Sequence, residues 1–494
     1  MSLPRPHGPS RRSILRGAAV AGAATALTPL VNVPAAQAAT TGNYTIRFDN
    51  GRRQTILGLG FEIQSDSIGS GNNGLPDLVS GVPYDLTDSE RARFYRQMLK
   101  AGRSDRGFRY CRLAMGLYYR GLDPTRTLIK GRYDGQTALL ADMIRRAGIE
   151  GTSVEYWSPA PGWKNNDSYI GGRLKSFDPA FLSRFGDALV ADLDYLTDGG
   201  VPVSMWGLQN EPRYDTPYSS CVYTAGEYLA AFKASAAKVR AAHPNVMITA
   251  DSLDGWSGDI GRAIAADPHA LDLVDAWTYH HIGADSDQHV YQNWTSGAAG
   301  KPVFNNEFEY LQPPANETWG DRRTINTAQS IMSWMTFQNA PTWFWLHALK
   351  PTTNAESPHY SLGFWRPPHD TDFSRFPDLP ARHWTWNPRN WNGVAGFVKY
   401  MPWNSVRYHV DESAILGDQR IMAWKTPAGK PVFAITNRST TQSFTYTIDT
   451  QTAARFEGYR YGPRTNNQAL GPKNGPNVTM VVPPLSVEFW VRTP

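Results

Sequence analysis

The stretch Val203-Ser204-Met205-Trp206-Gly207-Leu208-Gln209-Asn210-Glu211-Pro212 holds the strongest local signal in the chain. Its first six residues form a largely apolar run of strand length, and the run leads directly into Asn210, Glu211 and Pro212. Continuous apolar runs, unlike alternating ones, are typical of parallel strands that are buried on both faces. We therefore interpret residues 203–208 as a buried parallel strand with Glu211 just beyond its carboxyl end.

Similar apolar runs recur along the chain and alternate with amphipathic segments. The other predicted strands cover residues 56–63, 108–115, 152–157, 246–250, 273–279, 302–306 and 342–346. The predicted helices cover residues 86–100, 137–147, 179–196, 224–242 and 327–338. Eight strands alternating with helices predict an α/β fold, a (β/α)8 TIM barrel. A doubly wound sheet is the alternative, but no Gly-rich dinucleotide fingerprint supports it.

The pattern changes near Trp403, where helical periodicity ends. Short alternating segments follow at residues 420–424, 432–436, 443–448, 454–461 and 478–482. Turn residues separate these segments, which is typical of an antiparallel β-sandwich. We therefore predict a catalytic barrel over residues 53–402 and a β-sandwich over residues 403–494. Residues 39–52 contain a further strand that is predicted to join the sandwich.

Residues 1–38 have the pattern of a twin-arginine export signal. Arg11 and Arg12 precede an apolar run at residues 17–30, and Ala36-Gln37-Ala38 forms a small-x-small cleavage site. The apolar run is shorter than the roughly 20 residues that a membrane span needs. We therefore favour cleavage over an uncleaved anchor, and expect a secreted, extracellular protein whose mature chain has no membrane span.

Charge gives little reason to expect a nucleic-acid partner. The formal net charge is +5, and the predicted signal contains Arg5, Arg11, Arg12 and Arg16 but no acidic residue. Removing these four positive charges leaves +1. No nucleic acid or acidic membrane is therefore expected as a partner. A separate expectation is that the protein is a monomer.

The cysteines and histidines do not predict a metal site. The chain has two cysteines, Cys111 and Cys221, and the sequence leaves open whether they form a disulfide. No Cys/His spacing typical of zinc is present. We expect neither a metal nor an organic cofactor.

Two carboxylates follow predicted strands and are candidates for acid/base chemistry. The carboxyl ends of barrel strands form the active-site face, and Glu211 follows the fourth strand. Glu307 directly follows the seventh strand, within Lys301 to Tyr310, and Glu309 lies two residues further on. We prefer Glu307 to Glu309 as the second carboxylate. The alternatives are a helix-capping turn at Glu211 and, at Glu307 or Glu309, a carboxylate that is at the surface or in a salt bridge.

The order of these motifs resembles clan A of the glycoside hydrolases, in which Asn-Glu-Pro follows strand four and a Glu follows strand seven. The finer resemblance is to glycoside hydrolase family 30. The segments that carry it are Gly58-Leu59-Gly60-Phe61, Trp157-Ser158-Pro159-Ala160-Pro161-Gly162-Trp163-Lys164, residues 397–407, and Pro483-Pro484-Leu485-Ser486-Val487. The sequence departs from the family in two places. Phe61-Glu62-Ile63-Gln64 follows the first-strand glycines where family members often have a second Gly and an Ala, and Glu307-Phe308-Glu309 is rare around the family's nucleophile.

The resemblance implies a retaining β-glycosidase that acts on an oligo- or polysaccharide. Glu211 would be the acid/base and Glu307 the nucleophile, with the two carboxyl groups roughly 5–5.5 Å apart. A β-1,6-linked galactan or glucan, a xylan and a glucosyl conjugate remain open as substrates, as does endo or exo action. The alternatives are a glycosidase of another clan A family and a catalytically silent carbohydrate-binding protein on the same fold.

Supporting residues follow from their places on the predicted strands or just beyond them, and Arg112 lies within the second strand, after Cys111. Arg112 is predicted to hold the nucleophile ionised through a charge-assisted hydrogen bond. Asn210 is expected to contact the sugar hydroxyl next to the reacting carbon. Tyr279 and His280 are expected to contact the nucleophile or the sugar, and His281 is a weaker candidate. A packed, hydrogen-bonded role at the barrel rim is the alternative for Tyr279 and the histidines.

The aromatic content indicates sugar binding, because 17 tryptophans are many for 494 residues. Trp157, Trp163 and Trp345 lie at or just beyond strand ends and are the predicted stacking residues. Core packing is the alternative, and we prefer it for Trp391 and Trp403. The long segment at residues 349–389 is expected to form a wall of the substrate cleft.

Overall fold

The computed structural model describes residues 41–63, 86–102, 106–117, 134–280, 298–310, 318–353, 359 and 361–493. The predicted export signal and His281 lie outside these ranges. Within them, no helix is both long enough and apolar enough to cross a membrane. Cys111 and Cys221 are both buried and do not form a disulfide.

An eight-stranded parallel barrel forms the centre of the protein, as predicted. Two strands precede it, β1 (Thr41–Ile46) and β2 (Arg52–Ile56). The barrel strands are β3 (Gly58–Glu62), β4 (Tyr110–Met115), β5 (Gly151–Tyr156), β6 (Val203–Gly207), β7 (Met247–Leu253), β8 (Ala276–Tyr279), β9 (Val303–Asn305) and β10 (Thr342–Trp345). Neighbouring strands pair in parallel in chain order, and β10 pairs with β3. Main-chain hydrogen bonds of Phe308 with Phe344 and Leu346, each 3.0 Å, join the segment after β9 to β10 and close the ring.

Helices surround the barrel. They are α1 (Asp88–Phe94), which continues as a π-helical turn (Tyr95–Leu99), α2 (Asp134–Ala147), α3 (Pro179–Asp198), α4 (Ala225–Ala242), α5 (Asp259–Ala266), α6 (Pro268–Leu273), α7 (Thr318–Phe337) and α8 (Pro388–Tyr400). Their starts follow capping rules: Thr224 and Glu227 form a capping box at α4, and the Thr87 hydroxyl accepts from the Glu90 N–H at α1. The predicted strand at 273–279 starts too early, because α6 continues to Leu273.

Aromatic side chains fill the barrel interior. The rings of Tyr110 and Phe304 stack on Phe344, at 6.2 and 6.1 Å between centroids. Gly60 makes this packing possible, because a Cβ there would lie 2.2 Å from the Phe344 ring. Since side chains alternate along a strand, Trp343 and Trp345 on either side of Phe344 face the helices instead.

The predicted antiparallel sandwich follows the barrel. Its strands are β14 (Ser405–Tyr408), β15 (Val410–Glu412), β16 (Ile421–Lys425), β17 (Pro431–Asn437), β18 (Phe444–Asp449), β19 (Arg455–Gly462), β20 (Thr465–Asn474), β21 (Asn477–Val482) and β22 (Ser486–Arg492). One sheet has the order β15-β1-β18-β21 and the other the order β2-β14-β16-β17-β22-β19-β20. Both N-terminal strands thus lie in the sandwich, and β2 crosses the predicted boundary at residue 53.

The sandwich packs against α8 through a close contact. A Cβ on Gly396 would lie 2.0 Å from the Phe489 ring, and Phe397 contacts the same ring at 4.9 Å between centroids. The Trp424 indole N–H donates to the Tyr400 carbonyl at the end of α8. The helix that leaves the barrel therefore holds the second domain.

The segment between β10 and α8, predicted as a long loop, contains a small sheet. Its strands are β11 (His347–Pro351), β12 (Ser361–Trp365) and β13 (Trp384–Trp386). Arg366 is fully buried and donates to the carbonyls of Asp370, Asp372, Phe376 and Leu379. These bonds fix the chain between β12 and β13, so much of this segment is ordered structure.

Candidate active site

A cluster of charged side chains occupies the carboxyl end of the barrel. Arg112 on β4 lies at its centre and is fully buried. Its guanidinium donates to Glu155 through Nε at 3.0 Å and also through Nη2, to Glu307 through Nη1 at 2.5 Å, and to Glu62 at 3.2 Å. It also donates to the Asn210 amide oxygen at 2.7 Å. One arginine therefore joins strands β3, β4 and β5 and the segments that follow β6 and β9.

Electrostatics keep Arg112 charged. Burial alone would lower the pKa of its guanidinium, but Glu155, Glu307 and Glu62 together raise it above its ordinary value. The Trp157 ring covers the guanidinium at 4.5 Å, which adds a cation–π contact. Arg112 is thus a permanent cation beside the Glu307 carboxylate.

Glu307 is fully buried and held on two sides. Its main-chain N–H donates to the Asn305 side-chain oxygen at 2.9 Å, which fixes the turn after β9. Its carboxylate contacts Arg112 and lies 3.6 Å from Nδ1 of His280. Glu309 is also fully buried, two residues further on, but the contacts to Arg112 and His280 belong to Glu307. This arrangement favours Glu307 over Glu309 as the second carboxylate.

Glu211 has an unusual backbone conformation. Its φ is +44°, in the left-handed region that residues other than glycine rarely adopt. Strain of this kind is common where a side chain must be aimed at a functional site. The Glu211 side chain retains 11% exposure, whereas that of Glu307 has none. Glu211 is therefore the more accessible of the two carboxylates.

His280 lies between the two glutamates, directly after β8. Its Nδ1 is 3.0 Å from Glu211 Oε1, and its Nε2 is 3.3 Å from Arg112 Nη2. Arginine can only donate, so a neutral His280 must accept at Nε2 and carry its proton on Nδ1. That proton is then donated to Glu211, which orients the carboxyl group.

Two carboxylates of the cluster were missed from the sequence. Glu62 on β3 and Glu155 on β5 are each at most 3% exposed, and both contact Arg112. The Asn306 amide also donates to Glu155 at 3.3 Å, and His347 Nδ1 lies 3.4 Å from Glu62. The signal was available, since a carboxylate within an apolar strand requires a buried partner just as Arg112 does.

Three of the predicted sugar-stacking or sugar-contacting residues lie away from this cluster. Trp163 packs against Phe181 and Phe185 of α3, at 5.5 and 5.4 Å. The hydroxyl of Tyr279 shares a hydrogen bond with Ser257, and its ring contacts Trp334. Trp345 is fully buried, and its ring contacts those of Phe308, Tyr310 and Trp343. Each of these rings has protein partners, and Trp163 is only half-buried, so contact of these three residues with a sugar stays a prediction. Trp157 adjoins the cluster, but Arg112 covers its ring.

The same site has a geometry that a divalent cation could use. Among the described residues, donor atoms of Glu211, His280 and Glu307 lie within 4.8 Å of one another. Arg112 already supplies positive charge to one oxygen of Glu307. What the arrangement provides directly is a pair of facing carboxyl groups, one held by a cation and one by an imidazole.

Known proteins resemble this one in fold. No protein-family model matches the sequence, and no curated protein matches it. The structure is similar to the catalytic domain of the family 30 glycoside hydrolase xylanase C from Talaromyces cellulolyticus, with a TM-score of 0.68, 17% identity, and coverage of 92% of this chain and all of that one. It is also similar to an endo-β-1,6-glucanase (TM-score 0.67, 15% identity, coverage 91% and 94%) and to a family 51 arabinofuranosidase from Xanthomonas axonopodis pv. citri (0.58, 12%, 92% and 100%). Each similarity extends over more than nine-tenths of this chain and so includes residues of both its barrel and its sandwich.

Proposed function

We propose that the protein is a retaining β-glycosidase, with Glu211 as acid/base and Glu307 as nucleophile. One observation carries the proposal: oxygens of the two carboxyl groups lie within 4.8 Å of each other at the carboxyl rim of the barrel. Retaining enzymes place these groups roughly 5–5.5 Å apart, whereas inverting enzymes need roughly 6.5–9.5 Å to admit a water molecule. The 4.8 Å limit joins one oxygen of each group and not the group centres. Such a close approach supports the shorter spacing and direct attack by a carboxylate.

In the first step, a Glu307 oxygen attacks the anomeric carbon while Glu211 donates its proton to the departing glycosidic oxygen. The bond from the anomeric carbon to that oxygen breaks, and a glycosyl ester forms on Glu307. In the second step, Glu211 removes a proton from water, the water oxygen attacks the same carbon, and the ester bond breaks. Glu307 is then a carboxylate again, and Glu211 is protonated for the next cycle.

The surrounding residues suit these roles. Arg112 stabilises the ionised form of Glu307 that the attack requires. His280 orients Glu211, and Asn210 is held by Arg112 at the rim where the sugar would lie. These are positioning roles, except that Asn210 is also proposed to contact the sugar.

The substrate is proposed to be a β-linked oligo- or polysaccharide outside the cell. The sequence resemblance to glycoside hydrolase family 30 and the likeness in fold to a xylanase and an endo-β-1,6-glucanase support this class. Export by the twin-arginine route is proposed from Arg11-Arg12 and the cleavage site near Ala38. Xylan and β-1,6-linked glucan are the first substrates to test.

The test compares three glutamine variants on aryl β-glycosides and on these polysaccharides. Glu307→Gln is expected to abolish turnover of every substrate. Glu211→Gln is expected to spare the glycosylation step for substrates with good leaving groups, because they need little protonation, and to lose 10²–10⁴-fold, in order of magnitude, on poor ones. Glu309→Gln is the matched control, since it alters a buried carboxylate two residues away.

The outcomes separate the alternatives. An inactive Glu309→Gln beside an active Glu307→Gln would show that the nucleophile is Glu309 and not Glu307. Sugar binding without turnover by the unaltered protein on all substrates would favour a silent binding protein.

A further inference from the structure

A cavity lies between the barrel and the sandwich, with a volume of about 530 Å³. Its lining includes Arg53 on β2, Asn339 after α7, and Arg407 on β14. Arg53 precedes β3 and Asn339 precedes β10, so the cavity lies at the amino-terminal end of the barrel strands. The candidate active site lies at the opposite end, where Glu211 and Glu307 follow their strands.

Arg407 is a buried cation in this cavity and is only 4% exposed. Its Nε donates to the side-chain oxygen of Gln54 at 2.8 Å, and its Nη2 donates to that of Asn339 at 3.0 Å. Both acceptors are neutral amides. Over the ranges that the structure describes, its Nη1 has no hydrogen-bond acceptor and no carboxylate pairs with it.

Arg53 adds a second positive charge. It reaches only a main-chain carbonyl, that of Arg52, at 3.4 Å, and makes no ion pair with any described residue. Burial lowers the pKa of Arg407 to about 10, and the charge of Arg53 contributes to this lowering. Two arginines thus repel each other across a cavity in which neither has a carboxylate partner. An anion placed there would offset the cost of burying Arg407.

The acidic residues of the cavity are engaged elsewhere. Asp411 pairs with Arg47 at 2.5 Å and with His409 at 3.1 Å. Glu412 binds the Arg420 guanidinium with both oxygens, at 3.0 and 2.9 Å. These carboxylates do not neutralise Arg407, but each oxygen keeps a lone pair that can accept a hydrogen bond from a hydroxyl group.

We propose that this cavity binds a sugar acid, a compound with one carboxylate and several hydroxyl groups. The carboxylate binds Arg407 Nη1 and Arg53, and the hydroxyl groups donate to Asp411 and Glu412. The volume is within the range of roughly 300–1,000 Å³ that small-molecule sites occupy. It far exceeds the size of an inorganic ion, and its mixture of cations and free acceptor lone pairs fits a ligand that carries both kinds of group.

Isothermal titration calorimetry of the full chain with sodium glucuronate tests the proposal. Glucose supplies the hydroxyl groups without the charge, and inorganic phosphate supplies the charge without the carbon-bound hydroxyl groups. Binding of glucuronate at millimolar concentration, at least tenfold tighter than glucose or phosphate, is the expected result. Phosphate binding as tight as glucuronate would make this a general anion site and overturn the proposal, as would equal binding of glucose or no binding of glucuronate.

Variants locate the binding. Arg53→Gln changes an exposed residue and is expected to fold and to weaken glucuronate binding at least tenfold. Arg52→Gln is the matched control, because Arg52 is exposed but does not line the cavity. Unchanged affinity in Arg53→Gln, or an equal loss in Arg52→Gln, would place the ligand elsewhere and refute the assignment. Since the readout is binding and not hydrolysis, failure here leaves the proposed function untouched.

Discussion

Replacing Arg112 with methionine tests the physical basis of the charged cluster. The substitution keeps an unbranched side chain but leaves Glu62, Glu155 and Glu307 buried without their shared cation. Breaking a buried ion pair by removing one partner typically costs about 3–5 kcal/mol. Because Arg112 serves three carboxylates, we expect Arg112→Met to lower the free energy of unfolding by at least about 4 kcal/mol.

The sharper test is whether the effect of Glu155→Gln on the free energy of unfolding changes sign between two backgrounds. In the unaltered protein, Glu155→Gln weakens hydrogen bonds to a charged partner and is expected to cost about 1.5–3 kcal/mol. In the Arg112→Met background, the same substitution removes an uncompensated buried charge and is expected to restore about 1–3 kcal/mol. The two effects together form a double-mutant cycle that reports the coupling directly.

Urea unfolding at pH 7, followed by far-ultraviolet circular dichroism, measures all four proteins of the cycle. Arg145→Met is the control, because its pair with Asp142 is exposed and is worth about 1 kcal/mol at most. A cost for Arg112→Met no larger than that of the control, or a further loss from Glu155→Gln in the Arg112→Met background, would refute the reasoning.

Three further substitutions test other parts of the structure. Burial raises the pKa of Asp251 to about 7. The contribution of this carboxyl group to the free energy of unfolding is therefore fully present below about pH 4 and is lost as pH rises through about 7, a change on the order of 4 kcal/mol. Asp251→Asn is expected to remove this pH dependence in urea unfolding measured from pH 4 to 8. Gly396→Ala would force a Cβ against the Phe489 ring and is expected to lower the free energy of unfolding by about 1–3 kcal/mol; a melting temperature equal to that of the unaltered protein would contradict that contact. Trp163→Ala is expected to cost about 3 kcal/mol of stability by removing the ring that packs on Phe181, with an unchanged KM; a raised KM at unchanged stability would restore its predicted contact with sugar.

The barrel could be predicted because its strands are long apolar runs with helices between them, and the sandwich because its strands alternate. Strand β10 shows that an apolar run does not predict which face of the strand each side chain lies on. Phe344 faces the barrel interior, so Trp345 beside it faces the other way and packs on Phe308 and Tyr310. A shift of one residue reverses the direction of a side chain. The same alternation separates His280, which joins the cluster, from Tyr279, which does not.

The charged cluster could be predicted only in part. Glu211 and Glu307 follow from their places just after strands, and Arg112 from its place within a buried strand, where a charge needs a partner. Glu62 and Glu155 are single carboxylates within apolar strands, and no spacing in the sequence connects them to each other or to Arg112. Their meeting depends on the register of three parallel strands, in which Glu62 lies beside Arg112 and Ala114 beside Glu155. That register is a property of the closed barrel and not of any local segment.

The central claim is that Glu307 forms a covalent bond with the sugar while Glu211 transfers the proton. Peptide mapping by mass spectrometry, after reaction with activated aryl 2-deoxy-2-fluoro-β-glycosides of glucose, galactose and xylose, tests it most directly. We expect one of these reagents to inactivate the protein and to add a single glycosyl group to the peptide that contains Glu307, with the fragment masses assigning the group to that residue. A label on Glu309, Glu62 or Glu155, or hydrolysis of the matching β-glycoside with inversion at the anomeric carbon, would contradict the account.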